Sequence, residues 1–130
     1  MDSDELNVIK IKITIQDENE QMEGELERIK NARTVEAIRD LLPIIGKSNI
    51  YKVNEIYMSN IGLDIGREKT VKNAEKGDIA FWPMSGAICF FKEAMEPYSE
   101  INLVGKITKN IGLLEKVRSG MLITIEKLEE

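Results

Sequence analysis

The stretch that most restricts how this chain can fold is Gly77 to Phe91, GDIAFWPMSGAICFF. It holds the only Trp (Trp82), all three Phe (Phe81, Phe90, Phe91) and the only Cys (Cys89). Aromatic side chains bury the most apolar area each, so the segment belongs at the centre of a core. Its length and its Met84-Ser85-Gly86 break predict two strands, Asp78 to Met84 and Ala87 to Phe91, joined by a turn. Both alternating faces are apolar: Ile79, Phe81 and Pro83 against Ala80 and Trp82, then Ala87, Cys89 and Phe91 against Ile88 and Phe90. A strand of that kind is covered on both sides. One face should therefore meet a barrel interior, and the other a helix, a loop or a partner.

The remaining chain supplies the other walls. Residues Val8 to Gln16 alternate Ile9, Ile11, Ile13, Ile15 with Lys10, Lys12, Thr14, Gln16, the period of a half-buried strand. Gly24 to Ile29 predicts a return arm whose charged residues suit an exposed face. Thr34 to Pro43 changes period: Val35, Ile38, Leu41, Leu42 and Ile45 fall on one helical face. Thr34 is the expected N-cap, Glu36 suits the positive end of the helix dipole, and Pro43 stops the helix at Leu42. Strand pieces follow at Ile50 to Val53 and Glu55 to Ser59, then a loop over Asn60 to Gly66 and a short strand at Glu68 to Val71. Beyond the central pair, Ile101 to Lys109 predicts a strand with Gly105 at a bulge or close approach. Asn110 is placed to cap a short helix through Leu113, Leu114 and Val117, which Gly120 ends. Met121 to Leu128 alternates again. About eight short strands and two short helices argue a mainly β protein, a closed or nearly closed antiparallel barrel in one domain spanning 1–130.

Bulk properties exclude several functions. The chain has 130 residues, a formal charge of -5 and no His. The charge removes any general attraction to phosphate backbones, so nucleic acid is not an expected partner. Without His there is no His-dependent triad and no usual zinc ligand, and no cofactor or metal is implied. The acidic run Asp17, Glu18, Glu20, Glu23 lacks an ordered calcium-ligand register. One Cys forbids an intrachain disulfide, and Cys89, flanked by Ile88 and Phe90, reads as a small buried hydrophobe. MDSDEL lacks an apolar signal core and no run reaches the roughly 18 apolar residues of a membrane span, so cytoplasm is the expected compartment, with no membrane partner.

GDIAFWPMSGAICFF followed by INLVGKI resembles the GD-I/V-x-Y-W-P-P-G-x-A-L-C-L-F-F … V-N-V-x-G-K-I pattern of small prokaryotic cyclophilin-like fold proteins. The likeness extends loosely over the first strand, TVEAIRDLLP and EIYMS. It implies a cyclophilin-type closed eight-stranded antiparallel β-barrel with helices at its ends, and it implies no particular reaction. Two positions depart from the pattern: Met84 replaces a second Pro, and Phe81 replaces a Tyr. True cyclophilins isomerise prolyl bonds with an Arg beside an apolar pocket flanked by Gln, Trp and His. Their motifs are absent here, and none of Arg28, Arg33, Arg39, Arg67 and Arg118 sits in one. Catalytic residues are therefore unassigned.

Three functions fit this reading. The first is a binding module with a small molecule or an extended peptide in an apolar cleft. Tyr57, Trp82, Phe90 and Asn102 are its candidate ligand-binding residues. Trp82 and Phe90 are large apolar groups, while Tyr57 and Asn102 are polar members of apolar strands that need partners if buried. The second is a weak prolyl isomerase, and the third is a structural or homo-oligomeric subunit in which a second chain covers the central hairpin. Glu55 and Glu100 read as solvated carboxylates.

Overall fold

The computed structural model describes residues 7–128, so MDSDEL, read above for a signal core, lies outside the described residues. Eight strands run β1 (Val8–Ile15), β2 (Gln21–Glu27), β3 (Ile44–Tyr51), β4 (Glu55–Met58), β5 (Asp78–Trp82), β6 (Ala87–Phe91), β7 (Asn102–Lys109) and β8 (Leu122–Lys127). They close in the order β1-β2-β7-β5-β6-β4-β3-β8, every pair antiparallel. Closure leaves these strands no free edge.

Alternation sets the interior. Ile9, Ile11, Ile13 and Ile15 of β1 point inward with Met22, Leu26, Ile56, Met58, Ile79, Phe81, Ile88, Phe90, Val104, Ile123 and Ile125. Phe81, Phe90 and Phe91 are all fully buried. Phe81 is therefore held among aliphatic groups, where the Tyr hydroxyl of the family pattern would require a hydrogen-bond partner.

One helix, α1 (Ala32–Leu41), lies against β2 and β7 and sends Val35 and Ile38 into the core. A 3-10 helix (Ile111–Lys116) adds Leu113 and Leu114 at the opposite end of β2. Of the two expected caps, Thr34 is displaced, while Asn110 holds the cap position of the 3-10 helix without a side-chain cap hydrogen bond. Thr34 lies inside the first turn of α1 rather than before it, and Asn31 occupies the cap position with its side chain engaged elsewhere. No acidic residue sits in that first turn, and Glu36 instead pairs with Arg28 and Arg39. Asn110 precedes the 3-10 helix with φ 62 and donates its amide to the Gln21 carbonyl at 2.9 Å.

Pro43 ends the helix as expected: Leu42 is extended with ψ 141. The strand after it begins at once, at Ile44, six residues before the expected Ile50. Ile45, placed above on the helical face, is instead 60% exposed on β3, because strand alternation turns Ile44 inward and Ile45 out. Gly46, Lys47, Ser48 and Asn49 are weak strand formers. Pairing to β8 on one side and β4 on the other holds them extended, a tertiary effect that overrides propensity. Val53 lies in the following turn rather than in a strand, at φ 69 beside Lys52 at φ 50. The expected strand at Glu68 to Val71 reduces to one bridge, Val71 to Ile101.

Candidate functional site

The outer face of the aromatic hairpin is the site of interest. Directly opposed residues in an antiparallel pair share a face. Tyr51 stands opposite Glu55, Glu55 opposite Phe91, and Tyr57 opposite Cys89, which is in turn opposite Ala80. These outward residues form a second apolar cluster of Ala74, Ala80, Cys89, Phe91 and Ile101, flanked by Tyr57, Trp82, Val71, Met95 and Leu103. Its cover comes from the chain's own connections. Ala74 exchanges backbone hydrogen bonds with Met95, and Val71 with Ile101. This explains a hairpin that is apolar on both sides.

Beyond that cover the face stays partly open, and four aromatic rings border it. Tyr51 meets Tyr98 edge-on at 6.1 Å between centroids, Tyr98 meets Trp82 at 6.0 Å, and Trp82 meets Tyr57 edge-on at 5.6 Å. The two edge-on pairs have the geometry that aromatic quadrupoles favour, while Tyr98 and Trp82 are tilted at 54°. The Trp82 indole N–H donates to the Ser99 hydroxyl at 2.5 Å, and that hydroxyl points at the Met84 sulfur at 3.8 Å. Tyr51, Tyr57 and Trp82 are half-buried, while Tyr98 and Met84 are exposed.

Behind the rings lies a carboxylate that sequence reasoning took to be solvated. Glu55 is 1% exposed. Its hydrogen-bond partner is the Cys89 thiol, and its Oε1 has no partner among the described residues. Loss of water pushes the Glu55 carboxyl above its ordinary range, and the thiol contact opposes this only in part. Burial, reinforced by the Glu55 charge, pushes the Cys89 thiol far up, so it remains protonated. Strand pairing alone brings the two together. The available signal was a charged residue in phase with Tyr57 in an otherwise apolar run, Glu55-Ile56-Tyr57-Met58.

The four residues expected to form one wall occupy three places. Tyr57 and Trp82 touch on the outer face. Phe90 points the other way, into the barrel interior. Asn102, fully buried at the start of β7, finds its partners within the protein. It donates to the Thr34 hydroxyl at 3.1 Å and the Gly66 carbonyl at 3.2 Å, and accepts from the Glu68 amide at 3.0 Å. Asn31 does similar work beside it, donating to the Leu103 carbonyl and accepting from the Lys69 amide, both at 2.7 Å.

Glu68 then completes the start of α1. Its carboxylate accepts from the Thr34 amide at 3.0 Å, the Thr34 hydroxyl at 2.9 Å and the Arg33 amide at 3.2 Å. A residue distant in sequence thus satisfies the unpaired N–H groups of a helix whose own cap does not. Desolvation raises the Glu68 carboxyl, but these hydrogen bonds and the Arg33 charge outweigh it and leave it below its ordinary range. Glu100, the other carboxylate singled out above, pairs with Arg67 at 3.5 Å.

A separate concavity, lined by Lys12, Gln21, Leu42, Pro43 and Glu126, is crossed by the Lys12–Glu126 ion pair at 3.4 Å. No group of three or more metal-ligating side chains occurs among the described residues. None of their helices is long and apolar enough to cross a membrane.

Comparison with known proteins agrees with this architecture. The solution structure of the hypothetical protein AF2241 from Archaeoglobus fulgidus is similar at 28% identity over 92% of this chain and 95% of that one, with a TM-score of 0.73. The structure of McbB in complex with tryptophan superposes with a TM-score of 0.75 at 14% identity, a likeness of fold alone. It covers 92% of this chain, which spans 45% of McbB. No curated protein sequence matches the chain. The Cyclophilin-like family model matches residues 9–126, and with the closed barrel this makes the chain a member of the cyclophilin-like family.

Proposed function

We propose that this protein is a binding module that holds a small molecule against the outer face of the β4-β6-β5 sheet, with Trp82 and Tyr57 as its apolar wall. The observation that supports this most is the open border of four rings, Tyr51, Tyr98, Trp82 and Tyr57, on a face otherwise sealed by the chain's own loops. Ligand sites are mostly apolar, with few polar groups that fix orientation, and here Ser99 and Glu55 supply them. A small molecule suits this face better than an extended peptide. Every strand of the barrel is already paired on both sides, so a peptide has no edge to extend.

Trp82 is the only tryptophan, so its emission reports on this site alone. A set of small aromatic and aliphatic fragments, with a proline-containing peptide alongside, is titrated while emission excited at 295 nm is followed. Saturable changes with fragments, lost in Tyr57→Ala, support the reading. Silence from every compound refutes it, and a response to the peptide alone moves the assignment to peptide recognition.

A further inference from the structure

Glu55 identifies the chemistry of the occupant, an inference that rests on the binding reading above. We propose that the aromatic face binds an ammonium compound with an apolar body, its charge taken by Glu55 and its body by Tyr51, Tyr57, Trp82 and Tyr98.

Glu55 lacks the partners that a buried carboxylate has. A buried carboxylate is ordinarily paired with a cation or satisfied by several donors. Glu55 has one weak donor, the Cys89 thiol, and a bare Oε1. The lysines on neighbouring segments are committed elsewhere. Lys92 pairs with Glu115 at 3.8 Å, and the Lys52 ammonium sits over the Tyr51 ring at 5.5 Å. Neither lysine pairs with Glu55, whose carboxylate has no cationic partner among the described residues.

The surrounding rings have the matching preference. Aromatic faces are electron-rich and attract ammonium groups, more strongly where water is excluded. Tyr51 lies directly across from Glu55 on β3, and Tyr57 follows it by two residues on β4, so both rings share its face. Lys52 over Tyr51 shows the same attraction operating at the rim. An anion would meet both the Glu55 charge and these ring faces unfavourably. A metal ion would find one carboxylate where it needs several ligands.

Access runs past Tyr98. It is 64% exposed, belongs to the connection between β6 and β7, and bridges Tyr51 and Trp82. On that route the exposed Tyr98 side chain has to turn aside before an amine reaches Oε1, which is itself buried.

The test uses three probes of nearly one shape: 2-phenylethylamine as cation, 2-phenylethanol as neutral analogue and 3-phenylpropionate as anion. Each is titrated into the full chain with Trp82 emission as readout. The amine is expected to bind about tenfold more tightly than the other two, the ratio one charge-assisted hydrogen bond provides. Glu55→Gln, checked for folding by its melting curve, should erase that preference by weakening the amine to the level of the alcohol. Tyr98→Ala, an exposed change that spares the fold, should weaken the amine without abolishing its preference. Equal affinities for the three probes, or an amine preference that survives Glu55→Gln, overturn the assignment. If the alcohol and the propionate bind and the amine has no advantage, the face remains a binding surface and only the ammonium assignment fails. Silence from all three probes and from the wider fragment set removes both.

Discussion

Gly105 offers a quantitative test of the barrel. It lies in INLVGKI, where β7 runs between β2 and β5. A Cβ added there would sit 1.8 Å from the Glu25 carbonyl oxygen, 2.8 Å from the Glu25 carbonyl carbon and 3.0 Å from the Leu26 Cα. All three are backbone atoms of β2, so no side chain can rotate to make room. Ordinary carbon–oxygen contact needs roughly 3.2 Å, so Gly105→Ala must part the strands by more than about 1 Å, enough to break a 2.9 Å hydrogen bond. Two ladder bonds beside the Leu26–Gly105 pair are at risk, each worth about 1 kcal/mol, and overpacking adds a further 1–3 kcal/mol or so. The expected loss is about 3–5 kcal/mol, or on the order of 10–20 °C in melting temperature for a domain of this size. Gly112→Ala is the control: nothing lies within 4 Å of its added Cβ, so it should be neutral or stabilising by about 0.5 kcal/mol. Urea and thermal unfolding followed by circular dichroism measure both. A Gly105→Ala variant that melts within about 3 °C of the parent would refute the close approach of β2 and β7.

Further outcomes concern the carboxylates and one strained turn. Glu68 has a folded pKa below its unfolded value, so its contribution is present above about pH 4.5 and is lost as pH falls through the lower folded value. Glu68→Gln should destabilise by about 1 kcal/mol at pH 7, the lower part of the capping range because the carboxylate is partly solvated, and the gap should close in acid. Glu55 has the opposite sign. Its folded pKa is raised, so stability is greatest below the unfolded value and falls as pH rises through the folded one. Glu55→Gln should therefore melt higher than the parent at pH 7, with the gain vanishing below about pH 4; a lower melting temperature at pH 7 would contradict the unpaired burial. Val53 is β-branched, 70% exposed and at φ 69, so Val53→Gly should stabilise by about 1 kcal/mol in the same melts, and a loss would argue against that turn.

The alternating Ile9 to Ile15 settled β1, and Pro43 settled the end of α1, because a two-residue period and a missing N–H are local properties. Two apolar faces on GDIAFWPMSGAICFF already demanded cover on both sides, before the identity of the cover was known. Other features lay beyond local pattern. The strand Ile44–Tyr51 exists because β8 and β4 pair with it, and α1 is capped by Glu68, 34 positions beyond Thr34. Glu55 looked solvated because its surroundings, Cys89 and Phe91 from β6 and Tyr51 from β3, arrive only when the sheet closes. Periodicity decides which way a side chain points, whereas burial, partners and charge state depend on segments far away in sequence. The sequence alone therefore determined the mainly β pattern and its central hairpin, and tertiary structure decided how the strands close and which polar groups were left without water.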